Sequence, residues 1–327
     1  MSKGYRIRRC LQRSRRGAER TCLLLLLWAL GTAGTAAQVV SGGGSAGLLD
    51  QARSAFGSGQ LLQAESALRS YIADEPHPAS EALYLLGRVL EGEHKAAESL
   101  KWFTKAAAIS PPSGDDLRVV GRDYVLLNDY PSAAHWLTRA VELSPNDAEA
   151  WYDLARVRMT QQEFQSAEAL MKRSLALNPR LVKAEDNLGV IYESENRPVD
   201  AAAAYRQALA WQVGFPHPSE QPFLNYGRLL LSLQRGGEAL PLLKRAVEIS
   251  PDDVRCNEQL ARALDLQGDL PGAITRMENA VRLAPKEPRL HYQLGMIYRR
   301  AGQAEKGREE MELSGRLYGE HSSETQR

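Results

Sequence analysis

The chain has 327 residues, 43% of them hydrophobic and 25% charged, with 41 basic and 40 acidic side chains. That is enough apolar material for a continuous core, which excludes a globally disordered chain. The even charge balance is misleading, because Lys3, Arg6, Arg8, Arg9, Arg13, Arg15, Arg16 and Arg20 crowd the N-terminus.

This basic leader is followed by the apolar run "CLLLLLWAL" and then by the small-residue stretch "GTAGTAAQ". A charged segment, a short apolar segment and small residues before a polar one read as a secretory signal, here residues 1–37, cleaved after Ala36 or Ala37. The strongly apolar part is about half of the roughly 20 residues that a spanning helix needs. A second reading stays open, an uncleaved membrane anchor at residues 22–40, because Cys22–Val40 carries no charge. The expected location is therefore exported, either periplasmic or secreted, with membrane anchoring as the alternative. Without the leader, 33 basic side chains face 39 acidic ones, a net charge of −6. A mildly acidic mature chain argues against nucleic acid as a partner. Cys10 and Cys22 leave with the leader, and the remaining Cys256 has no partner for a disulfide or a zinc site.

After a flexible lead-in at residues 38–47, containing "SGGGSAG", the chain repeats itself. "RAVELSPNDAEAWYDLAR" at 139–156 returns as "RAVEISPDDVRCNEQLAR" from residue 245. Pro111, Pro145 and Pro179 are 34 residues apart, as are Pro251 and Pro285. Eight units follow, at 45–78, 80–113, 114–147, 148–181, 182–215, 220–253, 254–287 and 288–321, with "PHPS" at 216–219 as an insertion. Each unit has a small residue at its eighth position, such as Gly87, Gly121, Ala155, Gly189 and Gly227. Alanines such as Ala133, Ala167, Ala201 and Ala239 hold the twentieth position, where Ser99 and Gly307 depart from the pattern. Apolar residues at three- and four-residue spacing, among them Leu154, Phe103, Leu188 and Tyr205, predict two amphipathic helices per unit. Small residues let the two helices cross closely. Proline then ends the second helix, and "SPND" or "SPDD" supplies Asn or Asp as the next N-cap.

Unit length and the placing of small and large residues resemble the tetratricopeptide-repeat family over essentially residues 45–321. The resemblance implies an all-α, right-handed superhelical solenoid of about eight helix-turn-helix repeats, spanning 48–321, with residues 322–327 as a polar tail. It also implies a concave groove lined by the first helices. The ninth position of the units would face that groove with Arg53, Arg88, Arg122, Arg156, Arg228 and Arg262. The sixth would present Asp153, Asn187, Asn225, Gln259 and Gln293, whose amides suit the backbone of an extended peptide. Arg255, Arg289 and Arg299 add positive charge, and Tyr84, Tyr152 and Tyr292 interleave. The lysine/asparagine clamp of chaperone-tail-binding members is not reproduced.

Motifs for other chemistry do not occur. There is no GxxxxGK[ST], no HExxH and no paired-cysteine site, and the six histidines are scattered singly. The expectation is a non-enzyme without cofactor or metal. Its expected work is to bind a protein or peptide, an extended acidic or carboxylate-bearing segment, in the groove, as an exported interaction scaffold. The alternative is a structural subunit of an envelope, secretion or polysaccharide-handling assembly that acts through its convex face or its ends.

Overall fold

The computed structural model describes residues 45–324, so the leader and both readings of it lie outside the described residues. Among the described residues, sixteen α-helices follow one another with no strand between them. They divide after Asn178 into two compact units. The first holds α1 (Ser45–Gly57), α2 (Leu61–Asp74), α3 (Ser80–Gly92), α4 (Ala96–Ala107), α5 (Gly114–Leu126), α6 (Tyr130–Leu143), α7 (Ala148–Thr160) and α8 (Phe164–Leu177). The second holds α9 (Val182–Ser194), α10 (Pro198–Trp211), α11 (Gln221–Ser232), α12 (Gly236–Ile249), α13 (Val254–Leu266), α14 (Leu270–Leu283), α15 (Pro288–Arg300) and α16 (Ala304–Glu324). Each unit is an all-α stack of four helix pairs. Both ends differ from expectation. Helix α1 begins at Ser45, taking the last residues of the expected lead-in, and α16 runs to Glu324, into the expected tail. No proline interrupts either segment, so the helix propagates through it.

The turn inside every pair has one form. Gly59, His94, Asn128, Gln162, Asn196, Gln234, Gly268 and Gly302 all adopt positive φ, between 57° and 83°. A left-handed residue just past a helix reverses the chain and lets the next N–H reach back to an orphan carbonyl. Lys95 N accordingly donates to Leu90 O at 2.8 Å, and Arg235 N to Leu230 O at 2.8 Å. Three of the seven turns between pairs are closed by a capping side chain, from Ser113, Asp147 and Asp253. Asp147 Oδ1 accepts from Glu149 N at 2.9 Å and Asp253 Oδ1 from Cys256 N at 3.0 Å, as the "SPND" and "SPDD" phrases predict. The carbonyl left free by the terminating proline also finds a donor. Trp151 Nε1 reaches Pro145 O at 2.9 Å, Asn257 Nδ2 reaches Pro251 O at 2.7 Å, and His291 Nε2 lies 2.9 Å from Pro285 O.

Close crossing fixes the core of each pair. A Cβ on Gly87 would lie 2.6 Å from the Phe103 ring, and one on Gly227 2.6 Å from Leu243. Around these contacts Leu68, Leu86, Leu90, Leu137 and Met171 are fully enclosed in the first unit. Ile191, Tyr205, Leu230, Leu243, Leu290 and Leu294 are enclosed in the second. Within each unit the first helices of neighbouring pairs touch (α3 with α5, α5 with α7, α9 with α11, α11 with α13), whereas the second helices do not approach one another comparably. The first helices therefore line the inner side of each stack, and the site candidates ride on them.

Candidate functional site

The arginine row sits on the first helices, but most of it is already occupied. In the first unit Arg53 Nη2 is 2.7 Å from Glu81 Oε2, and its Nη1 is 2.6 Å from Asp50 Oδ1. Arg88 donates to Asp116 Oδ1 through Nη2 at 2.6 Å, while Asp116 Oδ2 accepts from the Ser113 backbone in the capping box of α5. One buried carboxylate thus serves a helix start and an arginine together. Arg122 Nη2 lies 2.6 Å from Glu91 Oε1. Arg156 differs. Its guanidinium is exposed, sits 5.8 Å from the Tyr152 ring centroid, and has no ion-pair partner among the described residues. It lines a cleft of about 230 Å³ together with Glu91, Arg122, Tyr130 and Asp153.

The second unit repeats this division. Arg228 Nη2 is 3.3 Å from Glu193 Oε1, Arg255 Nη2 is 2.9 Å from Asp253 Oδ2, and Arg289 pairs with the buried Glu258. The sixth-position amides also turn inward. Asn225 Nδ2 donates to both oxygens of buried Asp186, at 3.1 and 2.9 Å, and Gln293 Nε2 donates to Glu258 Oε1 at 3.2 Å. In both cases an amide of one repeat satisfies an acid of the repeat before it. Asn187 is half-buried on α9. Burial pushes Asp186 up to about 6, opposed by the Asn225 bond and by the charge of Arg228.

What remains unfilled lies at the end of the second unit. Arg262 is exposed and has no carboxylate partner among the described residues. On the same helix face the buried Oε1 of Gln259 receives no hydrogen bond, and neither does Oε1 of Gln293 on α15. On α15 Tyr292 is 53% exposed and Met296 40% exposed. The other two tyrosines are structural: Tyr84 is buried and donates to Ser110 O at 2.6 Å, and Tyr152 is buried under Arg156. Among the described residues Arg299 reaches the sulfur of Met311, at 3.9 Å. Among the described residues no group of three or more His, Cys, Asp or Glu is placed to hold a metal, and no helix is long and apolar enough to cross a membrane.

Two family models match this sequence, "Tetratricopeptide repeat protein 21 C-terminal ARM domain" over residues 74–217 and "Tetratricopeptide repeat" over 258–313. Together with the repeated pair geometry they decide the family. The chain belongs to the tetratricopeptide-repeat proteins. A tetratricopeptide-repeat protein of Parabacteroides merdae superposes with a TM-score of 0.61 at 15% identity, covering 84% of this chain and 99% of that one. The Cut9–Hcn1 assembly of the APC/C gives 0.61 at 13% identity, over 83% of this chain and 52% of that one. PilW, a type IV pilus biogenesis factor, gives 0.54 at 22% identity, over 60% of this chain and 90% of that one. Identities this low establish the shared tetratricopeptide fold. By sequence, the TPR repeat-containing thioredoxin TTL4 of Arabidopsis thaliana is 37% identical over 78 residues, 24% of this chain. The match spans 11% of that relative's length.

Proposed function

We propose that this tetratricopeptide protein is an exported scaffold that holds an extended, acidic segment of a partner protein along its inner helices. The observation that carries this reading is the open cation on α13: Arg262 is exposed and has no carboxylate partner among the described residues. An acidic side chain of the partner supplies the anion for Arg262 in a charge-assisted, planar pairing. Exposed Tyr292 and Met296 offer apolar contact alongside. Arg156 is the corresponding open cation of the first unit. The basic leader supports export. Arg53, Arg88, Arg122, Arg228 and Arg289 serve instead as struts between neighbouring helices. The alternative, an assembly subunit working through another face, draws on Val213 and Phe215, 81% and 48% exposed on the turn that carries the insertion.

The test is capture of partners from the exported fraction with wild type and with the Arg156→Glu/Arg262→Glu variant. Titration of the captured partner should then show lost affinity in the variant with unchanged helicity, and weaker wild-type binding as salt rises. Equal affinity of the two proteins removes the inner face from the mechanism and favours the Val213/Phe215 surface.

A further inference from the structure

Ser99 breaks the alanine pattern of its repeat position, held elsewhere by Ala133, Ala167 and Ala201, and it is fully buried on α4. Its Oγ lies 2.8 Å from the carbonyl oxygen of Gly87 on α3 and 2.6 Å from Oδ2 of Asp123 on α5. Asp123 is fully buried too, and its Oδ1 has no hydrogen-bond partner. A serine hydroxyl has one hydrogen, and it cannot be given to two acceptors at once. A neutral carboxylic acid resolves the geometry. Asp123 Oδ2–H donates to Ser99 Oγ, and the Ser99 hydroxyl donates to Gly87 O. The ionised alternative places a charge in the core with one hydrogen bond and one bare oxygen, the arrangement that burial penalises most.

The surroundings do not rescue the charge. Glu91, facing from α3, opposes ionisation of Asp123. Arg122, on the same helix as Asp123, favours it, but its guanidinium is held 2.6 Å from Glu91. Helix α4 presents the Ser99 hydroxyl, and from α7 Asp153 and Arg156 stand in the same cleft as Glu91 and Arg122.

We infer that one proton on Asp123 closes the joint between α3, α4 and α5, and that its loss on the alkaline side loosens this joint. Ionisation turns the Ser99 hydrogen away from Gly87 and calls for water, or for Arg122, at the buried carboxylate. Recruiting Arg122 breaks its pair with Glu91, and both of those residues line the cleft of the first unit. The inner surface beside Arg156 would therefore change shape with pH. This goes beyond the scaffold reading and does not depend on it.

Burial is the chief cause that pushes Asp123 up to about 7; Glu91 adds to the rise, while the Ser99 bond and Arg122 act against it. A carboxyl raised in the folded state binds its proton more tightly there than in the unfolded chain. The stability it contributes is complete below the ordinary value of 3.8 and is lost as pH rises through about 7. The experiment is a carbon-NMR titration of the Asp123 carboxyl in the folded chain, with melting temperatures at about pH 5 and about pH 8. The expected result is an Asp123 midpoint near neutrality and a wild-type melting temperature that falls from the lower to the higher pH. In Asp123→Asn, whose amide donates to Ser99 and cannot ionise, the fall should be smaller. An Asp123 midpoint in the ordinary carboxylate range overturns the inference, as does an equal fall in both proteins. The titration decides the matter on the wild-type chain even where the variant does not fold.

Discussion

Tyr205 lays its ring against the backbone of Gly189, so that a Cβ on Gly189 would lie 2.3 Å from Tyr205 Cε1. The ring is fully buried and its hydroxyl hydrogen-bonds Glu193, so it has no room to retreat. Gly189→Ala should therefore destabilise the second unit by about 1–3 kcal/mol through overpacking. Gly315 on α16 is the control, since a Cβ there meets nothing within 4 Å. Gly315→Ala should stabilise by about 0.5–1 kcal/mol, the usual difference between these residues in a helix. Chemical denaturation midpoints check both. If the two substitutions act alike, close crossing at the eighth repeat position is not what holds the pair.

The left-handed turn residue offers a second test. Gln162 and Gln234 adopt φ of 62° and 59°, a conformation that Gly268 and Gly302 adopt at the same repeat position without a side-chain penalty. Gln162→Gly and Gln234→Gly should each stabilise the chain by about 1 kcal/mol, the order of the left-handed cost for a residue with a Cβ. Gly268→Gln should lose a similar amount. Melting temperatures of the three variants should move in those opposite directions.

The first of these features is legible in the residues alone, and the second is not. Gly189 and Tyr205 mark a small/large pair, whereas the left-handed turn position is held by His94, Gln162 and Gln234 as well as by glycine and asparagine, so no residue type announces it. The fate of the arginines is not legible in that way. A search for acids at helical spacing looks four residues away along one helix, where it finds Glu258 for Arg262. The actual partners stand on the neighbouring repeat: Arg88 with Asp116, Arg228 with Glu193, and Arg289 with Glu258. Their separations in sequence are 28, 35 and 31 residues, and the acids sit at different positions of their repeats, so no single spacing marks them. The amides mislead similarly. Asn225 looks like a ligand-facing group until Asp186 is seen beneath it.

Asp186 makes the second unit sensitive to pH in its own right. Burial raises its pKa to about 6 against the Asn225 bond. Because the folded value exceeds the ordinary 3.8, the folded unit holds the proton more tightly. Stability should fall as pH rises from about 4 through about 6, by on the order of 1–3 kcal/mol, and level off above. Asp186→Asn should flatten that part of the profile. A urea series at stepped pH on both proteins reads the difference, and identical profiles would show that Asp186 is an ordinary carboxylate.

The insertion between the fifth and sixth repeats is held by a single side chain. Gln212 is almost fully buried; its Nε2 donates to Ser219 O at 3.1 Å, and its Oε1 accepts from Ser219 N at 2.9 Å. Such an amide mimics one rung of a backbone ladder, and it closes the 213–219 loop against the end of α10. Gln212→Ala removes both bonds and leaves the Ser219 N–H without its partner, a loss of about 1–3 kcal/mol. The consequence should be local. Amide exchange at Ser219 should speed up strongly, while exchange at Leu230 and Leu243, in the core of the next pair, should change little. Gln212→Glu keeps the acceptor and loses the donor, so it should retain protection of the Ser219 N–H and free only the Ser219 carbonyl. Undiminished protection at Ser219 in the alanine variant would mean that the turn from Gly214 onward holds its own shape and that Gln212 merely fills space beneath it.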